Sequence, residues 1–169
     1  DSALARNARI YGEIIGYAAT SDGEDMVRPS HDGSRWADAI RQALAEASIA
    51  PDRIDYVSCH GTGTRENDRA EVRAITDALG RTDVPIGSIK SMIGHAFGGA
   101  RALELVCLGM ILVDKILPPT INYSAPDPEC DIDCVPNEAR PVTRCDYALK
   151  TATGFGGSNM ALVMAGWED

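Results

Sequence analysis

The apolar and polar positions change period several times along the chain. In the extended segment from Ile10 to Ala19, Ile10, Ile14 and the small Gly12 and Gly16 take one face, and Tyr11, Ile15 and Tyr17 take the other; this predicts a strand. The polar stretch Thr20 to Gly33 holds Asp, Gly, Pro and Ser and reads as a loop. From Arg35 to Ala47 a helical stripe of Trp36, Ile40 and Leu44 runs beside Ala37, Ala43 and Ala47, with Ser34 as its N-cap. Ile54 to Cys59 reads as a short buried strand that ends in His60-Gly61-Thr62-Gly63-Thr64. A second helix is expected from Asp68 to Leu79, capped by Asn67 and stopped by Gly80. Val84 to Ile89 is another strand, leading into Lys90-Ser91-Met92-Ile93-Gly94-His95. The third helix, Phe97 to Asp114, is apolar nearly all round through Leu103, Leu105, Val106, Leu108, Ile111 and Leu112, and is expected to be buried. Pro118-Pro119 stops it, and Asn122 to Thr143 reads as irregular. Two last strands, Tyr147 to Thr153 and Asn159 to Ala165, face each other across Gly154-Phe155-Gly156-Gly157 as a hairpin.

The order β-α-β-α-β-α-β-β argues for an α/β architecture, a mixed sheet covered by helices, and residues 1–169 read as one unit. At 169 residues with 44% apolar side chains, the chain can build a core of its own. With 16 Lys+Arg against 25 Asp+Glu the formal net charge is -9, which argues against nucleic acid or an anionic membrane as the main partner. No apolar run is long enough to span a bilayer, and the first residues lack the pattern of a signal peptide. The five cysteines therefore read as reduced thiols of a cytoplasmic protein. The chain opens without Met, in what reads as the tail of an earlier element.

Two histidines occupy equivalent places. His60 and His95 each follow a short apolar strand and sit in a Gly-rich loop, where open α/β sheets put their active sites. Together they could bind a developing oxyanion through Nε2–H groups or share acid–base work; the plainer alternative is that each only satisfies a buried loop. His31, in a polar loop, reads as surface. Thr62 and Thr64 could hold an amide-bearing substrate arm or satisfy the turn. Lys90 is a candidate charge partner for Asp68 and Glu71, or a solvated group. Glu104, on the most apolar helix, needs a partner or a function, because an unpaired buried carboxylate is costly. Cys59 reads as core, and Cys130, Cys134 and Cys145 make no convincing zinc spacing, so no metal is expected. No phosphate-binding glycine motif and no nucleophile elbow occur, so a nucleotide cofactor is not expected. The groups for acid–base and oxyanion chemistry are present without an attacking nucleophile.

His60-Gly61-Thr62-Gly63-Thr64, Lys90-Ser91-Met92-Ile93-Gly94-His95 and Gly154-Phe155-Gly156-Gly157-Ser158-Asn159 resemble the three signatures of the C-terminal half of β-ketoacyl-acyl carrier protein synthases, the elongating type II enzymes and polyketide ketosynthases. Pro118-Pro119-Thr120-Ile121-Asn122 and Cys134-Val135-Pro136-Asn137-Glu138-Ala139-Arg140 resemble connecting segments of that family. The resemblance implies the second half of a thiolase-like fold. It also implies a nucleophilic Cys supplied by a separate or cleaved N-terminal half, a dimer of assembled two-half units, and acyl carrier protein as partner. The reaction implied is decarboxylative condensation of malonyl carrier protein with an acyl thioester, in fatty acid or polyketide synthesis. Substrates would ride on phosphopantetheine, with no other cofactor. By matching position, His60 and His95 would assist decarboxylation and hold the thioester oxygen, and Lys90 would organise the site with Asp68, Glu71 and Glu104. Thr62 and Thr64 would contact the phosphopantetheine arm, and Phe155 with Gly156 would form a gate. Two positions depart from the family pattern. Gly98-Gly99-Ala100-Arg101 places a bulky cation where small residues are usual, and Cys59 replaces a small residue before the first His. A non-catalytic partner of the chain-length-factor kind, or a thioester-binding decarboxylase, is the alternative reading.

Overall fold

The computed structural model describes residues 2–167. In chain order the elements are α1 (Ser2–Ala5), β1 (Glu13–Ser21), α2 (Ser34–Ala47), β2 (Tyr56–Ser58), α3 (Arg65–Leu79), β3 (Ile86–Gly87), α4 (Lys90–Ile93), α5 (Ala100–Asp114), β4 (Ile116–Leu117), β5 (Arg140–Pro141), β6 (Tyr147–Gly154) and β7 (Ser158–Ala165). Five strands form one sheet in the order β1-β7-β6-β2-β3. β1, β7 and β6 run antiparallel, whereas β2 is parallel to both β6 and β3, so the sheet is mixed as expected.

The two faces of the sheet collect different helices. On one face Trp36, Ile40 and Leu44 of α2 and Ala74, Ile75 and Ala78 of α3 pack with Val57, Leu149, Ala161 and Val163. On the other, Leu108, Ile111 and Leu112 of α5 pack with Tyr56, Leu117, Cys145 and Ala148. Neighbours in a strand point to opposite faces. Ala148 and Leu149 therefore belong to different clusters, and the same alternation sends Lys150 toward α5 and Thr151 toward α3. At Gly16 the sheet and α2 come so close that a β-carbon would overlap the Ala43 carbonyl, which requires glycine there.

Several sequence expectations need correction. The first strand begins at Glu13, not Ile10, and the strands ending in the histidine loops are shorter than the apolar runs suggested. The cap of α2 is Gly33 in a left-handed conformation, not Ser34; Ser34 is already helical, and its N–H is taken by Asp32 Oδ1 at 2.9 Å. Likewise α3 begins at Arg65 behind Thr64, and Asn67 lies buried inside its first turn. The third helix is interrupted: Phe97–Gly99 is a 3-10 turn, and α5 starts only at Ala100. Nor is α5 wholly buried. The sheet covers one face of it, and Leu103, Val106, Met110 and Val113 on the other are exposed. The stretch read as irregular contributes β5, which pairs with β4. Among the described residues no helix is long and apolar enough to cross a membrane.

Candidate active site

Parallel pairing brings the carboxyl ends of β2 and β3 level with the middle of β6, which runs on in the same direction to Gly154. Ser58 on β2 lies level with Gly87 on β3 and Lys150 on β6, so the segments that follow emerge at one edge of the sheet. They are the loop of His60, the turn carrying Lys90 and His95, and the glycine turn around Phe155. A sheet of this kind gathers distant loops there. The loop after β2 is held close to the next strand: Gly61 has φ +45°, and a β-carbon on it would overlap that of Ser88. Only glycine meets both demands.

The two imidazoles are brought together. Their centroids lie 5.5 Å apart and the rings stand edge to face at 83°. His95 is exposed and stacks on Phe97 at 5.3 Å. The Phe97 N–H donates to His95 Nδ1 at 3.0 Å, which makes Nδ1 an acceptor and leaves the ring proton on Nε2. His60 is buried, and among the described residues its Nδ1 has no hydrogen-bond partner. Burial and then the charges of Lys90, Lys150, His95 and Arg101 push its pKa down from 6.5 to about 3. At neutral pH it is an uncharged imidazole.

A network of buried charge grips the main chain of His60 from two sides. Glu71 accepts the N–H groups of His60 at 2.6 Å and Gly61 at 2.8 Å, and the Thr151 hydroxyl at 2.6 Å. On the other side Lys90 Nζ donates to the His60 carbonyl at 2.5 Å and pairs with Glu104. The second oxygen of Glu104 pairs with Lys150 at 3.0 Å. Lys90 is thus neither solvated nor paired with Asp68 or Glu71, as its position in sequence had suggested. Its carboxylate is on α5, because the Lys90 turn faces that helix and not α3. Asp68 instead accepts from Gly63 N–H at 3.3 Å and from Asn67 Nδ2 at 3.0 Å. Burial raises the pKa of both Asp68 and Glu71.

The remaining candidates flank this centre. Thr62 and Thr64 hydroxyls meet at 2.8 Å. With Asp68, Lys90, Ser91 and Tyr123 they line a cavity of about 590 Å³ that neither imidazole nor Phe155 borders. Phe155 is 79% exposed at the tip of its turn, while the Gly156 N–H donates to the Met26 carbonyl at 2.8 Å. Arg101 reaches across from α5 to the Thr153 carbonyl at 3.2 Å, at the foot of that turn. Cys59 points into the core as read, and burial drives its thiol pKa well above the usual value. His31 is exposed, and its carbonyl accepts from Arg73 at 3.0 Å. Among the described residues no group of three or more His, Cys, Asp or Glu is arranged to hold a metal ion.

Sequence reasoning missed Lys150 and Thr151. The signal available was one cation at an inward position of a strand otherwise made of apolar and small residues.

The chain matches the family described as beta-ketoacyl synthase, C-terminal domain, over residues 11–124. It is 42% identical over 170 residues to 3-oxoacyl-[acyl-carrier-protein] synthase 2 of Synechocystis sp., covering 99% of this chain and 41% of that protein. Against the tetracenomycin polyketide synthase ketoacyl synthase alpha subunit of Streptomyces glaucescens it is 44% identical, covering 97% and 39%. Among solved structures, a type II polyketide ketosynthase in complex with its acyl-carrier protein superposes with a TM-score of 0.94 at 39% identity, over 98% of this chain and 41% of that one. A beta-ketoacyl synthase from Burkholderia phymatum gives 0.92 at 34% identity, over 99% and 40%. The chain thus spans about two fifths of the length of the curated relatives it matches.

Proposed function

This chain belongs to the beta-ketoacyl synthase family, as its C-terminal domain, and on that premise we propose that it supplies the decarboxylating side of a carbon–carbon condensation. The substrate is a malonyl thioester on acyl carrier protein. As its carboxylate leaves as CO2, the electron pair of the broken C–C bond moves into an enolate, and negative charge gathers on the thioester oxygen. His60 and His95 donate Nε2–H groups to that oxygen. The enolate carbon then attacks an acyl thioester, forming the new C–C bond and expelling a thiolate. That thioester is carried by a cysteine in the part of the relatives' length that lies outside these residues.

The observation that carries this reading is the protonation state of the imidazole pair. The Phe97 N–H fixes His95 as the Nε2–H tautomer, and burial, aided by the surrounding cations, keeps His60 neutral, so both rings can donate without first taking up a proton. Preorganised donors aimed at developing charge are among the strongest catalytic devices available. Around this centre, Thr62 and Thr64 would guide the phosphopantetheine arm, Phe155 and Gly156 would gate it, and Lys90, Glu104, Glu71 and Asp68 would hold the loops. The partners are acyl carrier protein and the N-terminal half, on the same polypeptide or another, as a dimer of assembled units in the cytoplasm.

His95→Ala in the complete enzyme tests the reading, with CO2 release from malonyl carrier protein as the assay. Loss of one oxyanion donor should lower kcat by about 10²–10³-fold. Turnover within a few-fold of wild type would mean that this chain serves a complex as a non-catalytic partner.

A further inference from the structure

Lys150 is a fully buried charge to which the proposed reaction assigns no contact with substrate. Burial depresses its pKa while Glu104 and Glu71 pull the other way. Four oxygens surround its Nζ: the carbonyls of Ser58 and Cys59, both at 3.1 Å, that of Thr151 at 2.5 Å, and Glu104 Oε2 at 3.0 Å. Three main-chain carbonyls and a carboxylate are hard oxygen donors, of the type that replaces the hydration shell of a monovalent cation. Two of those carbonyls belong to the residues immediately before His60. The carboxylate is the one that holds Lys90, and Lys90 holds the His60 carbonyl. Lys150 therefore reaches the His60 loop by two routes, directly through the chain of β2 and indirectly through Glu104.

We propose that Lys150 is a positioning residue for His60, its ammonium acting as a tethered cation in an oxygen cage that a free monovalent cation can fill once the side chain is cut back. The kinetic part of this proposal rests on the reading of His60 as an oxyanion donor; the cage does not. Truncation to alanine removes the charge and opens the cage, whereas methionine fills the space without charge.

The test uses the complete enzyme as Lys150→Ala and Lys150→Met, with tetramethylammonium as sole buffer cation and potassium or ammonium titrated in at constant ionic strength. In tetramethylammonium the alanine variant should lose about 10²-fold in kcat for malonyl decarboxylation with little change in KM, as expected for a donor displaced by a fraction of its bond length. Ammonium or potassium should restore kcat and raise the melting temperature with one saturation curve. The methionine variant should not respond, and wild type should be indifferent to the cation. Full activity of Lys150→Ala in tetramethylammonium would overturn the proposal, and so would recovery that does not distinguish the small cations from tetramethylammonium. Should the alanine variant fail to fold in tetramethylammonium, refolding in ammonium supports the cage and failure in both salts overturns it. A wild-type enzyme that releases no CO2 would sink the reading of the function, and the cation-dependent melting of Lys150→Ala would still decide the cage.

Discussion

Replacing His60 with glutamine should remove a specific part of the pH dependence of stability. In the unfolded chain this imidazole titrates near its ordinary pKa of 6.5, and in the folded protein at about 3. The folded state therefore binds fewer protons across that interval, so the contribution of His60 to stability is complete above pH 6.5 and falls away as the solution is acidified toward pH 3. At pH 5 about 97% of unfolded chains and about 1% of folded ones carry the proton, which makes the loss between pH 7.5 and pH 5 about 2 kcal/mol. His60 is only 8% exposed, so solvent screens little of this. The assay is urea unfolding of the complete enzyme at both pH values, for wild type and for His60→Gln. His31 is present in both proteins and drops out of the difference. Wild type should lose about 2 kcal/mol more than the variant. Parallel losses, within about 0.5 kcal/mol, would refute the claim that burial and neighbouring cations hold this ring neutral.

Two further substitutions test the grip on the same loop. Gly61→Ala combines a left-handed backbone with overlap against Ser88; the conformation costs about 1–2 kcal/mol and the overpacking about 1–3 kcal/mol, so a clear drop in the urea midpoint is expected, and an unchanged midpoint would show that the loop relaxes freely. In Glu71→Gln, whichever way the amide turns, its NH2 faces a donor it cannot satisfy, at His60 or at Gly61; a loss of about 1.5–3 kcal/mol in urea unfolding and a lower kcat in the CO2-release assay are expected, and an unaltered enzyme would remove Glu71 from the clamp.

Much of this arrangement was legible before the structure, and the parts that were not share a cause. The stripe of Trp36, Ile40 and Leu44 and the facing strands around Phe155 announced themselves through short-range periodicity, which local sequence records well. The loops of His60 and His95 could be placed because each follows an apolar strand. The partner of Glu104 was not readable: Lys90 reaches it from α4, which follows β3, and Lys150 from β6, and only the parallel register of β2 with β3 and β6 puts them together. Burial of α5 was overestimated for a related reason. An all-round apolar helix says that every face avoids water, not which neighbour covers each face. The caps of α2 and α3 were misplaced by a residue or more because Ser34 and Asn67 have side chains suited to capping, yet the chain satisfies those helix ends differently.

The site also inverts the electrostatics of the whole molecule. A protein of formal net charge -9 surrounds one imidazole with Lys90, Lys150 and Arg101, and all three lower the affinity of His60 for a proton. A protonated ring would be the stronger donor to an oxyanion, so cations that drive the proton off look unfavourable at first sight. The field that repels a proton from His60, however, also attracts negative charge to the space beside it, and in a water-poor site such attraction is screened far less than in solution. In the proposed reaction an enolate would thus be favoured by fixed charges that need no uptake of a proton, while the neutral ring still offers its N–H. Glu104 and Glu71 keep this concentration of positive charge compatible with folding: two buried carboxylates answer the two buried ammonium groups, and Arg101 stands at the exposed rim, on the Thr153 carbonyl beneath the Phe155 turn. Arg101 thus ties α5 to the strand that carries Phe155 and adds to the positive field at His60.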